Sequence, residues 1–230
     1  MIKDKRVVVV VPARGGSKSI PRKNLVPLGG RPLIAWSIAS GREAPSVDRV
    51  LVSTDDREIG ETAVAAGAEV YWRPAELATD DALVIDALRD VIRRLRREGE
   101  TAEILVLLEP TCPLRSVEDV EQCIRLVGDG WDSAATFQSA VLHPHRAWRI
   151  VDGAPEPFIP GAIPWLPRQK LPPAFQLNGA VYAVRMDLLL DPSEIGLLAG
   201  RTAAVIMPPE RSVDIDTAHD FAVAEALLRH

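Results

Sequence analysis

Short runs of aliphatic and β-branched residues alternate along this chain with longer segments whose apolar positions recur at helical spacing. Val7 to Val11 is an unbroken β-branched run, the pattern of a strand buried on both faces. Pro32 to Glu43 predicts a helix, with Leu33, Trp36 and Ile38 available to pack, and Arg49 to Ser53 a second strand. Asp56 to Ala66 predicts a helix ended by Gly67, and Glu69 to Trp72 a third strand. The clearest helix is expected from Asp81 to Arg97, where Ile85, Leu88, Ile92 and Leu95 form one apolar stripe. Asp80, Asp81 and Asp86 sit near its start and Arg93, Arg94, Arg96 and Arg97 near its end, with Gly99 as the stop. That arginine cluster could be taken for a nucleic-acid patch, but a capped, solvated helix end accounts for it better. Ile104 to Leu108 predicts a strand, Val117 to Val127 a helix and Ser133 to Gln138 a strand. Strands resume at Ala180 to Val184 and Ala203 to Met207, and a last helix covers Thr217 to Leu228.

The pattern breaks between Val141 and Phe175. Pro144, Pro155, Pro157, Pro160, Pro164, Pro167, Pro172 and Pro173 fall there, out of 19 prolines in the chain. Proline at that density disrupts helices and central strands, so an irregular insert is expected over 141–179. It interrupts a core formed by 1–140 and 180–230. The alternation elsewhere predicts an α/β fold: an open, mostly parallel sheet with helices on both faces. Ligands of such sheets bind beyond the carboxyl ends of the strands, so the residues after each strand are where chemistry is expected.

Composition narrows the class. The 230 residues are 47% hydrophobic and 26% charged, a globular balance for one domain with an insert. Cys112 and Cys123 are the only cysteines, which excludes a disulfide-dense scaffold and makes a reducing cytoplasm the expected home. The apolar stretch near the N-terminus is too short for a secretory signal, and no run approaches the ~20 apolar residues of a membrane span. The net charge of −5 gives no general footprint for nucleic acid. One stretch departs from that acidity. From Arg14 to Arg31 the chain carries Arg14, Lys18, Arg22, Lys23 and Arg31 with no Asp or Glu, either a solvated basic loop or an anion site.

Position weighs toward the anion site. The first strand runs into PARGGSKSIPRKN, where Gly15 and Gly16 allow a tight turn and close approach to a ligand. It is not a Walker A loop, and the G-x-G-x-x-G of dinucleotide folds is missing. Ser53-Thr54-Asp55-Asp56 follows the second strand; these residues could touch a ligand, but Asp56 is favoured as a helix N-cap. Arg73 follows the third. Glu109-Pro110-Thr111-Cys112-Pro113-Leu114-Arg115 follows the fourth, a rigid bend in which Cys112 is a buried filler rather than a nucleophile. Asp214 and Asp216 lie two apart on an extended segment and share a face. Paired carboxylates repel unless a cation sits between them, and Mg²⁺ is the usual one with a phosphate substrate. Alternatively, Asp216 caps the last helix. His143 and His145 lack acidic or Cys partners at ligand spacing.

These segments together resemble the acylneuraminate cytidylyltransferases, the synthetases of CMP-sialic acid and related CMP-nonulosonic acids. The matching stretches are PARGGSKSIPRKN, VLVSTDD, RPAELATD, LLEPTCPLR, RQKLPPAFQLNGAVY and SVDIDT, in family order over nearly the whole chain. The resemblance implies a nucleotide-diphospho-sugar-transferase-like fold and transfer of CMP from CTP to the anomeric hydroxyl of a nine-carbon α-keto acid sugar, releasing pyrophosphate. It implies a homodimer whose insert reaches the partner's active site. By position it assigns Ala13, Arg14, Asn24 and Arg73 to the nucleotide, Lys18 and Lys23 to its phosphates, and Asp214 and Asp216 to Mg²⁺. It assigns Glu109, Arg146, Arg168, Gln176, Asn178 and Tyr182 to the sugar, with Leu197 and Leu198 as a wall for its N-acyl group. Neither nucleic acid nor membrane is an expected partner.

Three positions depart from the family pattern. Glu109 stands where Gln is usual, and a carboxylate only accepts hydrogen bonds. Gln176 replaces an Arg of close members, and Val84 a Ser. The alternatives are a cytidylyltransferase for the eight-carbon sugar acid Kdo, a non-catalytic nucleotide-binding protein of the same fold, and an NAD-dependent oxidoreductase. The last is disfavoured by the missing glycine fingerprint.

Overall fold

A computed structural model describes residues 5–17 and 19–229. Its centre is a seven-stranded sheet in the order β11-β7-β10-β6-β1-β4-β5. The strands are β1 (Val7–Pro12), β4 (Arg49–Thr54), β5 (Glu69–Trp72), β6 (Ile104–Leu107), β7 (Ser133–Ser139), β10 (Phe175–Arg185) and β11 (Thr202–Ile206). All adjacent pairs are parallel except those of β10, which runs against both β6 and β7. The short strands β2 (Pro27–Leu28) and β3 (Arg31–Pro32) form a small separate hairpin.

The all-valine run of β1 explains the layering. Val7, Val9 and Val11 face α1 (Leu33–Glu43), α2 (Arg57–Ala65) and α4 (Val117–Gly128). Val8 and Val10 face α3 (Val84–Arg97) and the segment 186–199. A strand alternates its side chains, so only a residue run apolar at every position can serve two cores. On α3, Ile85, Leu88, Val91, Ile92 and Leu95 are buried, each contributing roughly 1.5–3 kcal/mol of transfer free energy. A third, smaller core joins Leu28, Leu33 and Ile215 to Ala224 of α5 (Ala218–Leu228).

The expected elements all form, with three informative differences. Helix α3 begins at Val84 rather than Asp81, because 79–83 form a turn whose Thr79 carbonyl accepts from Arg14. Strand β10 begins at Phe175, five residues early, since Phe175, Gln176 and Leu177 pair with β7. The ladder then breaks until Tyr182, across Gly179 at φ +74°. The insert is not wholly irregular: β8 (Trp148–Val151) and β9 (Ala154–Pro157) form an antiparallel hairpin. Asp152 and Gly153 turn it with φ of 49° and 82°, the positive values a two-residue hairpin loop of this kind requires. Pro155 and Pro157 are tolerated because the ribbon has only edges. Among the described residues no helix is long and apolar enough to cross a membrane.

Candidate active site

After β5 at one edge the chain crosses back over β1 to lay down β6 on its other side. Such a switch point leaves a crevice beyond the carboxyl ends of the two central strands. Here it is a cleft of about 480 Å³ running from Pro12, at the end of β1, to Glu109, just past β6. Arg14, Lys23, Asn24 and Arg73 line it together with Glu109 and Asp216. Lys18 lies outside the described residues.

The loop after β1 is tied to the end of β4. The Ala13 amide donates to the Ser53 carbonyl (2.9 Å), and the Gly15 amide to Asp55 Oδ1 (2.9 Å). A Cβ on Gly15 would stand 2.8 Å from Asp56 Oδ2, so only glycine fits there. A Cβ on Gly16 would meet nothing within 4 Å, leaving open space at the cleft. Arg14 donates to the Thr79 carbonyl and pairs with Asp80, both at 2.9 Å, while Asn24 Nδ2 donates to the Arg14 carbonyl. Arg73 donates to Ser53 Oγ and the Ser53 carbonyl. Burial holds the Arg73 guanidinium below its ordinary pKa, against the attraction of Asp55. Asp56 caps α2 by accepting from the Glu58 and Ile59 amides, as its sequence position predicts.

The acidic side of the cleft is built around Ile215. That residue is fully buried in the third core, and its amide donates to the Thr111 carbonyl (2.8 Å). On an extended segment its neighbours point the other way, so Asp214 and Asp216 are exposed. Lys23 Nζ donates to the Ile215 carbonyl at 2.8 Å and to Asp216 Oδ1 at 3.1 Å. The cap of α5 is Thr217, in a capping box with Asp220, which leaves the Asp216 carboxylate free of that duty. Arg211 grips Asp119 with two bonds and anchors the start of this segment to α4.

Glu109 lines the same cleft and feels the charge of both acids. Burial first, and then the charge of Asp214, push its carboxyl up to about 7. Buried Arg115 opposes that shift. Its guanidinium donates to Ser37 Oγ and to the Ala180 and Glu109 carbonyls, and burial lowers it to about 10. Cys112 Sγ contacts the Asn178 carbonyl (3.1 Å) and Asp214 Oδ1 (3.7 Å), and burial pushes the thiol far up, which suits a packing role.

Among the described residues no group of three or more His, Cys, Asp or Glu is gathered as a metal cage. Mg²⁺ needs none: one or two carboxylates plus substrate phosphate oxygens suffice. Asp214 and Asp216 fit that donor set, being exposed hard oxygens that both raise Glu109 by repulsion.

The remaining sugar candidates are spread out. Burial and the Glu109 charge raise the Tyr182 hydroxyl well above its ordinary range. Asn178 is buried, its amide nitrogen donating to Ser212 Oγ and its oxygen accepting from Thr136 Oγ1 and the Ala180 amide. Gln176 Oε1 accepts from the Val141 amide, and Leu197 and Leu198 pack against the α3 core. Arg146 and Arg168 line a separate hollow of about 390 Å³ on the insert. Asp55, read from sequence as a possible ligand contact, instead holds the Gly15 amide, and Arg115 had no expected role; their bonds span 40 and 65 residues that no local pattern announces. Thr79 and Leu83 also line the cleft, a consequence of the late start of α3.

Residues 8–136 match the cytidylyltransferase family. The chain is 30% identical over 227 residues to a CMP-N,N'-diacetyllegionaminic acid synthase of Legionella pneumophila, covering 97% of this chain and 96% of that protein. It is 32% identical over 229 residues to N-acylneuraminate cytidylyltransferase A of Danio rerio, but spans only 51% of that longer protein. In fold it resembles a CMP:2-keto-3-deoxy-manno-octonic acid synthetase solved with CTP, with a TM-score of 0.72 at 21% identity over 98% of this chain and 99% of that one.

Proposed function

The chain belongs to the cytidylyltransferase family, and from that premise we propose that it transfers CMP from CTP to the anomeric hydroxyl of a sialic-acid-like nonulosonic acid. Pyrophosphate is the leaving group. One observation carries the reading: a single cleft at the switch point gathers Arg14, Lys23, Asn24 and Arg73 with Glu109 and Asp216. Cations at that density suit a triphosphate, and carboxylates beside them suit a phosphate-bound divalent ion.

In this proposal Arg14, Asn24 and Arg73 bind the nucleotide. Ala13 shapes the turn beneath it. Lys23, and Lys18 by position, stabilise the departing pyrophosphate. The sugar hydroxyl attacks the α-phosphorus, the bond to the β-phosphate oxygen breaks, and the hydroxyl proton leaves to solvent or, where Asp214 acts as a base instead of as a second metal ligand, to its carboxylate. Catalysis here is mainly positioning and charge stabilisation. Asp214 and Asp216 would hold Mg²⁺, which when bound supplies neutralisation of charge at the α-phosphate. Lys23 then exchanges its bond to Asp216 for one to the phosphates.

Glu109 is proposed to face the sugar, with Tyr182 below it, while Asn178 shapes the pocket through its backbone and Gln176 through the edge of β10. Arg146 and Arg168 sit on the insert, outside the lining of their own chain's cleft. We propose that they meet the sugar acid across a homodimer interface, and that the enzyme works in the cytoplasm. The diacetyllegionaminic acid synthase, which aligns end to end, supports a nonulosonate over the eight-carbon Kdo. The test is pyrophosphate release with each nucleoside triphosphate and Mg²⁺ against sialic, legionaminic, pseudaminic and Kdo acids. CTP with a nine-carbon acid is expected to give the highest rate. Turnover confined to Kdo, or none with any acid, would refute the reading.

A further inference from the structure

We propose that Arg22 is a positioning residue for the nucleotide loop, aiming Lys23 and Asn24 into the cleft through its bonds to Asp56. The proposal rests on the cytidylyltransferase reading above. Arg22 sits at φ 54°, ψ 35°, and among the described residues only Asp152 shares a positive φ without being glycine. Asp152 is in a hairpin turn, where a short polar side chain tolerates that region. Arginine has no such local compensation, so its conformation must be imposed from outside.

The imposing groups are visible. Arg22 Nη2 lies 3.1 and 3.3 Å from the two Asp56 oxygens and 2.8 Å from Glu58 Oε2. Asp56 cannot drift toward the loop, because its Oδ1 already accepts the Glu58 and Ile59 amides at 2.9 and 3.0 Å as the cap of α2. Asp55, one residue earlier, holds the Gly15 amide. Consecutive carboxylates at the end of β4 therefore pin the loop at Gly15 and at Arg22. The residue after Arg22 sends its ammonium to Ile215 and Asp216, and the one after that bonds Arg14. The left-handed step at Arg22 thus sets the direction from which both cleft residues leave the chain. An exposed ion pair contributes little to stability, so a purely structural role would leave a small trace in melting and none in ligand affinity.

Arg22→Gly separates the two. Glycine keeps the left-handed conformation without its steric cost but loses the clamp. In the full-length protein we expect a melting temperature equal to or above wild type, with the Kd for CTP by calorimetry raised about two- to fivefold, the scale of a lost surface ion pair. Arg22→Lys, which keeps a cation, should fall between. Asp56→Ser keeps the helix cap and should raise the CTP Kd to a similar degree, while the double variant should be no worse than either single one. A wild-type Kd in Arg22→Gly overturns the proposal. So does a drop in melting temperature that alone accounts for the loss. Calorimetry with CTP requires no sugar acid, so absence of turnover in the wild-type enzyme would refute the functional reading without deciding this one.

Discussion

The cleft and the insert are built on opposite principles. Every charged residue assigned to the cleft among those described has an internal partner or a buried neighbour: Arg14 has Asp80, Lys23 has Asp216, Arg73 has Ser53. The loops that carry them are tied to strand ends, and Ile215 is packed in a core of its own. The insert has polar ties of its own, Arg149 to Glu156 and Arg146 to the Leu166 carbonyl, but almost no buried apolar core. Between 141 and 174 only Leu171 is buried, while Ile150, Phe158, Ile163 and Trp165 stand exposed, Trp165 at 80%. One region is held by its own internal bonds and the other leaves large apolar side chains in solvent, which is what the proposed dimer interface would cover. The difference teaches where a lesion should act: chemistry in the cleft, assembly in the insert.

The strongest way to break that division is Asp216→Asn. The side chain is 73% exposed and caps no helix, so the folded chain should lose little stability. If Asp216 holds the metal, kcat should fall about 10²- to 10³-fold, the scale of losing one preorganised electrostatic group, with the KM for CTP changing far less. A rise in KM at intact kcat would instead make Asp216 only the anchor of Lys23. The counterpart in the insert is Trp165→Glu. Its ring contacts Trp148 at 5.7 Å between centroids, and it supports no buried core. A lost aromatic anchor should weaken self-association about 30-fold, read by sedimentation equilibrium, and raise the KM for the sugar acid at low enzyme concentration. The CTP Kd should hold. An unchanged mass and sugar KM would detach the insert from both roles.

The two regions also differed in how legible they were. The core announced itself because its signals are local: five consecutive valines in β1, the stripe on α3, Asp56 before α2. The order of chemistry-bearing turns could be read for the same reason, since strands of a parallel sheet deliver their following loops to one edge. Misjudged were features decided by competition between signals. Asp152-Gly153 is a hairpin dipeptide, but the surrounding prolines outweighed it, and in an isolated ribbon they do no harm. The early start of β10 was hidden by Gly179, which breaks the ladder without ending the strand. The work of Arg115 and Arg22 depends on partners brought near only by folding.

The smallest effect concerns Glu109, where the cleft is under electrostatic stress of its own making. Its carboxyl is raised from 4.5 to about 7, by burial first and Asp214 second. Between those values the folded chain keeps a proton that the unfolded chain has released, so stability falls as pH rises through the window. Above about pH 7 the full cost is present; below 4.5 it vanishes. Glu109→Gln removes the titration and keeps the shape. With water access discounted, the variant should be more stable than wild type by about 1–2 kcal/mol at pH 8, in EDTA, and nearly equal to it at pH 4.5. Urea unfolding at the two pH values measures the difference, and carboxylates common to both proteins cancel. An equal gain at both pH values would mean that packing, not charge, separates the two side chains. A gain at pH 8 that disappears when Mg²⁺ and CTP are added would show that the repulsion among Glu109, Asp214 and Asp216 is what the bound ion relieves.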